Sequence, residues 1–321
     1  MKAIVYDEYG AADVLRFEDT EMPAAGSGEV LIRVAAASAF IGDWHLMTGT
    51  PYAIRLVSGL RAPKHRVLGQ DVAGYVETVG EGVTTFRRGD EVFGVGSGAF
   101  AEYAVAKASK LAPKPANLGF EEAATVPTTG CTALQGLRDT AKLREGQRLL
   151  VIGAAGGVGS FAVQIAKAFG AHVTGVCSTS KIDLVRSMGA DEVIDYTRED
   201  PTDGSRRYDV IFDTAGNRPA SQLRRVLEPK GTLVLAGGEG GGKWLGMGRT
   251  LRAKAVSPFV GQKMTNFLAR PKSEDLVALK ELIEAGKITP LIGARYPLSD
   301  TAEAIRELGT GHGRGKVVIT V

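Results

Sequence analysis

The sequence predicts a two-part α/β chain, with a doubly wound parallel sheet beside a β-rich part. Three observations carry this reading. A short apolar run, 149–152, stops abruptly in the cluster Gly153-Ala154-Ala155-Gly156-Gly157-Val158-Gly159 and leads into a helical pattern with Phe161, Ile165, Ala168 and Phe169 at helical spacing. Strand-like and helical runs then alternate up to residue 236, which means a parallel sheet with crossover helices. The first third instead shows short strand-like runs separated by Pro, Gly and acidic turns.

In chain order, 30–35 and 72–79 read as strands, with shorter ones at 90–93 and 101–105. A helical pattern at 118–126 leads into the parallel sheet. There 149–152 is the first strand, 160–170 the crossover helix and 172–177 the second strand. Segments 180–188 and 219–227 are helical, and 192–194, 209–212 and 232–236 are extended. Residues 274–285 form an amphipathic helix. Val317-Val318-Ile319-Thr320-Val321 is a β-branched terminal strand, most economically returned to the β-rich part, which places the active cleft between the two parts.

At 321 residues the chain is long enough for two sizeable cores, and its 44% hydrophobic and 23% charged residues are ordinary for a globular protein. A net charge of +3 without a basic block gives no reason to expect a nucleic-acid partner. The opening Met1-Lys2-Ala3-Ile4-Val5-Tyr6 meets acidic residues at once and lacks a signal-peptide core. The uncharged stretch 149–166 has the length of a membrane span, but its glycines and its place in the strand–turn–helix pattern argue against one. The two cysteines, Cys131 and Cys177, make neither a disulfide framework nor a zinc cluster, so a reducing, cytoplasmic setting is expected. The run Gly237 to Gly242 reads as a loop at the carboxyl end of a strand, either closing over a ligand or lying loose at the surface. The tail 311–316 resembles part of a phosphate-binding loop, but Thr310 and Val317 break that motif.

Strand, glycine turn and helix are the form of a dinucleotide-binding βαβ unit. Gly156 lets the backbone approach a pyrophosphate and Gly159 lets the helix pack on the strand. The helix's first N–H groups and positive dipole end then hold the phosphates. The position of the first glycine in the usual G-x-G-x-x-G is Ala154 here. After the second strand the chain reads Cys177-Ser178-Thr179-Ser180-Lys181, and the next acid is Asp183. Hydroxyls with a lysine suit a ribose 2′-phosphate that a carboxylate would repel, so NADPH is expected over NADH. The alternative makes Ser178 and Ser180 helix caps and Lys181 a solvated side chain.

Together these residues resemble the medium-chain dehydrogenase/reductase superfamily, within it the zinc-free quinone oxidoreductase group. The resemblance rests on motifs in order: Met1-Lys2-Ala3, Gly69-Gln70-Asp71-Val72-Ala73-Gly74, Gly89-Asp90-Glu91-Val92, Pro127 with Thr132-Ala133, the glycine turn, Gly189-Ala190-Asp191 and Gly315-Lys316-Val317-Val318. It implies a GroES-like β-rich catalytic domain interrupted by a Rossmann domain, divided as 1–124, 125–269 and 270–321, and a homodimer. The positions of the catalytic zinc ligands in zinc-dependent relatives fall at Ser38, Gln70-Asp71 and Thr128, and 93–114 lacks the cysteines of a structural zinc lobe, so no metal is expected.

Without a metal, hydrogen-bond donors must stabilise the oxygen that becomes negative during hydride transfer. A quinone or the C=C bond of an α,β-unsaturated carbonyl spreads that charge, so these are the expected small-molecule substrates. The resemblance places Asp43, Trp44, His45, Tyr52, Lys64 and His65 on the cleft wall. His45, Tyr52 and Asp43 are the candidate catalytic groups; alternatively His45 is packed, Tyr52 is an apolar wall and Asp43 caps a helix. Phe40-Ile41 stands where relatives commonly carry Asn-Pro, so Phe40 puts a ring where an amide is usual. For the cofactor, the resemblance implies Ala155, Gly156, Gly157, Val158 and Gly159 at the phosphates, Ser178 and Lys181 at the 2′-phosphate, and Tyr196 at the adenosine. It also implies Thr129 on a turn at the nicotinamide ribose, with Gly237, Gly238 and Phe259 around the nicotinamide. A zinc-free alcohol or carbonyl dehydrogenase, or an NADPH-binding protein with little turnover, are the other readings.

Overall fold

The computed structural model describes residues 1–237, 261–310 and 313–321. Gly238 and Phe259, expected at the nicotinamide, lie outside the described residues, as does the glycine run beyond Gly237. The chain forms two compact units: Met1–Cys131 with Pro271–Gly286 and Pro290–Val321, and Thr132–Arg270 with Lys287–Thr289.

In the first unit, β1 (Lys2–Val5) and β2 (Arg16–Asp19) pair antiparallel. They precede β3 (Glu29–Ala39), α1 (Ile41–Thr48), α2 (Arg55–Ser58), β4 (Asp71–Val79), β5 (Glu91–Val95), β6 (Tyr103–Lys107) and β7 (Leu111–Pro113). Next come α3 (Phe120–Ala124) and α4 (Pro127–Leu134). The second unit carries β8 (Arg148–Ile152), α5 (Gly157–Ala168), β9 (His172–Cys177), α6 (Ile182–Ser187), β10 (Glu192–Asp195), β11 (Tyr208–Asp213), α7 (Ala220–Leu223), β12 (Leu227–Leu235) and β13 (Lys263–Asn266). The chain then returns through α8 (Ser273–Glu284), β14 (Ile292–Pro297), α9 (Thr301–Gly309) and β15 (Lys316–Thr320).

The second unit's sheet runs β10-β9-β8-β11-β12-β13 with every described pair parallel, the doubly wound Rossmann order. Strand order reverses between β8 and β11, so their carboxyl ends, Ile152 and Asp213, flank the crevice where such sheets bind ligands. Leu149 to Ile152 are all buried, as a strand covered on both faces by helices requires. The first unit's sheet runs β14-β15-β3-β4-β5-β7, with β6 also on β3. The terminal strand β15 returns to this sheet, antiparallel to β3, with Val318 opposite Ser38.

Three departures from the sequence reading have local causes. β3 has 11 residues, where alternation marked only 30–35, because its register on β4 shifts at Leu31/Ile32 and Val34/Ala36 and breaks the period of two. The helix expected at 219–227 is four residues long, and from Leu227 the chain is already strand β12, paired with β11. Thr129 lies within helix α4, not on a turn.

Candidate active site

In the second unit the glycine turn is built as the motif requires. Gly153 ends β8 at φ 81°, a left-handed conformation that favours glycine, so the tight-turn role falls to Gly153 rather than to the Ala154 position. Gly156 caps α5 in an extended conformation, and the first intrahelical bond runs from Ser160 N–H to Gly156 O at 2.9 Å. The amides of Gly157, Val158 and Gly159 precede that bond at the positive end of the helix dipole. A Cβ on Gly159 would stand 2.1 Å from Gly153 O, whereas one on Gly156 would meet only that oxygen, at 3.4 Å. The two glycines therefore differ: Gly159 makes packing possible, and Gly156 leaves the approach open. Ala155 is buried in the turn itself.

At the next strand end, Ser178 precedes the short helical turn Thr179–Lys181, and Lys181 N–H donates to Ser178 O at 2.9 Å. Tyr196 is exposed at the end of β10, its N–H donating to Cys177 O at 3.1 Å, so it shares this rim with Ser178. Linear distance hid one neighbour. Asp195 accepts from Thr179 Oγ1 at 2.5 Å and from Thr197 N–H at 3.0 Å and Oγ1 at 2.7 Å, with Arg198 Nε at 3.5 Å. These bonds, led by that from Thr179, hold its carboxyl below the ordinary range. The rim thus contains a carboxylate that counting from Asp183 missed, but its oxygens are engaged by their own donors. At the crevice, buried Asp213 accepts from Ala215 and Gly216 N–H at 3.2 and 3.1 Å, and Thr214 Oγ1 donates to Ile152 O at 2.8 Å. Gly237 packs so close that a Cβ would stand 2.0 Å from Thr214 O.

In the first unit the candidate catalytic residues follow one another along a single segment. Phe40 caps α1, and its ring lies against Gly42, where a Cβ would meet the ring at 2.2 Å. Asp43 caps the same helix, accepting from Phe40 N–H at 3.0 Å, and is fully buried. His45 Nδ1 lies 2.7 Å from Thr50 O. A carbonyl only accepts, so Nδ1 carries the proton, and burial pushes the imidazole below its ordinary pKa. Neutral His45 therefore presents an acceptor at Nε2, which corrects the expectation of a donor. The exposed Tyr52 ring stacks under the Arg55 guanidinium, 5.2 Å from the ring centroid; Arg55 also lies over Tyr9 at 4.5 Å and donates to Gly49 O at 2.9 Å. Thr129 is buried in α4, its hydroxyl donating to Thr125 O at 2.8 Å.

Beneath α1 lies a charged cluster that the sequence did not announce. Lys316 Nζ is 3.5 Å from Asp71 Oδ2 and 5.4 Å from the Phe40 ring centroid, and Ser38 stands opposite Asp71 in the β3–β4 register. Asp71 Oδ1 accepts from Thr128 Oγ1 at 2.5 Å and Thr128 N–H at 3.1 Å. Of the positions matching zinc ligands in the relatives, Ser38, Asp71 and Thr128 thus come together as a hydroxyl, a carboxylate and a second hydroxyl beside the Lys316 ammonium, and the remaining position is the amide Gln70. Zinc needs three or more imidazole, thiolate or carboxylate ligands, and this donor set does not fit it. Among the described residues, no group of three His, Cys, Asp or Glu is placed to hold a metal ion.

Burial opposes all three charges: it raises Asp43 and Asp71 and lowers Lys316. One proton on Asp43 leaves Asp71 and Lys316 as a neutral pair. Asp43 is pushed from 3.8 up to about 8, chiefly by burial, against the Phe40 N–H bond. The folded state then holds a proton that the unfolded chain releases, so this stability is full in acid and is lost as pH rises through that window. The urea midpoint of the wild type is expected to fall more steeply between pH 5 and pH 8 than that of Asp43→Asn, which holds no such proton. Equal slopes would show that Asp43 is ionised in the folded protein.

Comparison with known proteins adds to this geometry. Residues 26–134 match the alcohol dehydrogenase GroES-like domain family, and residues 188–319 match a family described as zinc-binding dehydrogenase. The chain is 35% identical to the NADPH-dependent alkenal/one oxidoreductase, chloroplastic, of Arabidopsis thaliana, over 99% of this chain and 79% of that protein. It is 32% identical to a chloroplast envelope quinone oxidoreductase homolog of the same plant, over 99% of this chain and 98% of that one. Among solved structures, the quinone oxidoreductase from Coxiella burnetii superposes with a TM-score of 0.89 at 30% identity, covering 100% of this chain and 99% of that one.

Proposed function

From a chain that belongs to the medium-chain dehydrogenase/reductase superfamily, in its zinc-free quinone oxidoreductase group, we propose a metal-independent, NADPH-dependent reductase of quinones and of the C=C bond of α,β-unsaturated carbonyls. The observation that carries this is the Gly153–Gly159 turn on a Rossmann sheet, with Ser178 and Lys181 at the next strand end. The bound cofactor supplies the hydride. The chain's residues hold and polarise. The amides of Gly157 to Gly159 receive the pyrophosphate, and Ser178 and Lys181 receive the 2′-phosphate, beside Tyr196 at the adenosine. Tyr52 donates toward the oxygen that becomes negative, while neutral His45 accepts at Nε2. A quinone or enone delocalises that charge, so a weaker donor suffices than a simple ketone needs. The exposed Leu56, Val57 and Leu60, just beyond Tyr52, suit an apolar acceptor.

The test is NADPH oxidation by the purified protein against quinones, enones and simple ketones, with bound zinc measured in the same samples. Turnover of quinones or enones at substoichiometric zinc is expected. Ketone reduction that tracks zinc content would replace this reading with a metal-dependent carbonyl dehydrogenase. The cofactor assignment has its own readout. Lys181→Ala is expected to weaken NADPH binding about tenfold to a hundredfold, the worth of one charge-assisted phosphate contact, and to leave NADH binding unchanged. Equal losses for both cofactors would remove Lys181 from the 2′-phosphate site.

The homodimer and the cytoplasmic setting are also part of this proposal. Light scattering on the eluting protein tests the first. Both cysteines are buried, and no described helix is long and apolar enough to cross a membrane.

A further inference from the structure

Ser38 Oγ, Asp43 Oδ1, Asp71 Oδ2 and Lys316 Nζ are all buried and have no hydrogen-bond partner among the described residues. They come from four elements, β3, α1, β4 and β15; Asp43 feels the charges of both Asp71 and Lys316, and the Lys316 ammonium lies 5.4 Å from the Phe40 ring centroid. Ser38 faces Asp71 across one strand pair, and Lys316 begins the strand paired on Ser38's other side. At 3.5 Å the Lys316–Asp71 contact is an ion pair with a gap, too long for a hydrogen bond. Leaving four such atoms unsatisfied in the interior is costly, so a bridging group is needed.

We propose that these four side chains form a binding site for one internal water molecule, which bonds to all of them at once. The donor and acceptor inventory selects water. Lys316 only donates, ionised Asp71 only accepts, and Ser38 and Asp43 each take either role, so a molecule with two donors and two acceptors satisfies the set whether or not Asp43 carries a proton. A metal cation is opposed by the Lys316 ammonium, and an anion by the two aspartates. The water ties terminal strand β15 to the first turn of α1, the helix that carries Phe40 and His45. The site stands independently of the redox reading.

The test is a crystal structure of the full chain at a resolution that shows ordered solvent, joined to oxygen-17 relaxation dispersion, which counts long-lived internal waters. A single peak is expected at about 2.7–3.2 Å from Lys316 Nζ, Asp71 Oδ2 and at least one of the other two atoms. Ser38→Val, which fills the site with methyl groups, is expected to lose that peak and one long-lived water. Ser38→Ala, with three partners left, is expected to keep both. A wild-type structure with Lys316 Nζ bonded directly to either aspartate and no solvent between them overturns the proposal. So does an ion at metal-ligand distance, or an unchanged water count in folded Ser38→Val. Should Ser38→Val fail to fold, the wild-type structure decides alone.

Discussion

Gly159→Ala is expected to destabilise the second unit by about 3 kcal/mol, the upper range for overpacking, and to weaken NADPH binding at least about tenfold. The added Cβ would lie 2.1 Å from Gly153 O, 2.8 Å from Gly153 C and 2.9 Å from Ala154 Cα, all of them backbone atoms of the turn. No side-chain rotation relieves that overlap. The first turn of α5 must move away from β8, and the amides aimed at the phosphates move with it. Gly156→Ala is the informative partner. Its Cβ meets only one backbone oxygen, at 3.4 Å, so urea unfolding is expected to match the wild type while NADPH binding falls, because the methyl stands where the pyrophosphate approaches. Fluorescence titration with NADPH and urea unfolding separate the two effects. Wild-type unfolding of Gly159→Ala, or wild-type NADPH affinity of Gly156→Ala, would undo the assignment of their roles.

Lys316→Met is the second large effect. It removes the cation 3.5 Å from fully buried Asp71 and is expected to destabilise the first unit by about 3–5 kcal/mol, the scale for breaking a buried pair from one side. Adding Asp71→Asn to Lys316→Met should recover part of that loss. Asparagine removes the stranded charge and keeps a carbonyl oxygen to accept from Thr128. Urea unfolding of the two single variants and the double gives the coupling directly. If Lys316→Met unfolds within about 1 kcal/mol of the wild type, Asp71 is not ionised in the folded protein.

Much of the cofactor unit was legible in the sequence because its signals are local. A glycine turn between a buried strand and a helix is written in consecutive residues, and only backbone geometry was needed to move the tight-turn role from Ala154 to Gly153. The segment that carries Asp43, His45 and Tyr52 was legible as a list of candidates, not as roles. His45 stood out by type, but its proton was assigned only when Thr50 O appeared 2.7 Å from Nδ1. Asp43 stood out as either catalyst or cap, and its position under Phe40 N–H makes it a buried cap. Asp195 was passed over because the rule for the ribose acid counts along the chain from the second strand, whereas parallel pairing of β10 on β9 sets Asp195 beside Cys177.

The amino-acid sequence by itself determined the alternation that makes a doubly wound sheet, the glycine turn between its first strand and helix, and the family to which both belong. These depend on neighbours within a few residues, where steric and hydrogen-bonding rules act directly. Only the tertiary structure decided that Lys316 meets Asp71, which requires strands far apart in the chain to pair through β3. A buried charge has no sequence signature, because the partner that makes it tolerable comes from another part of the chain.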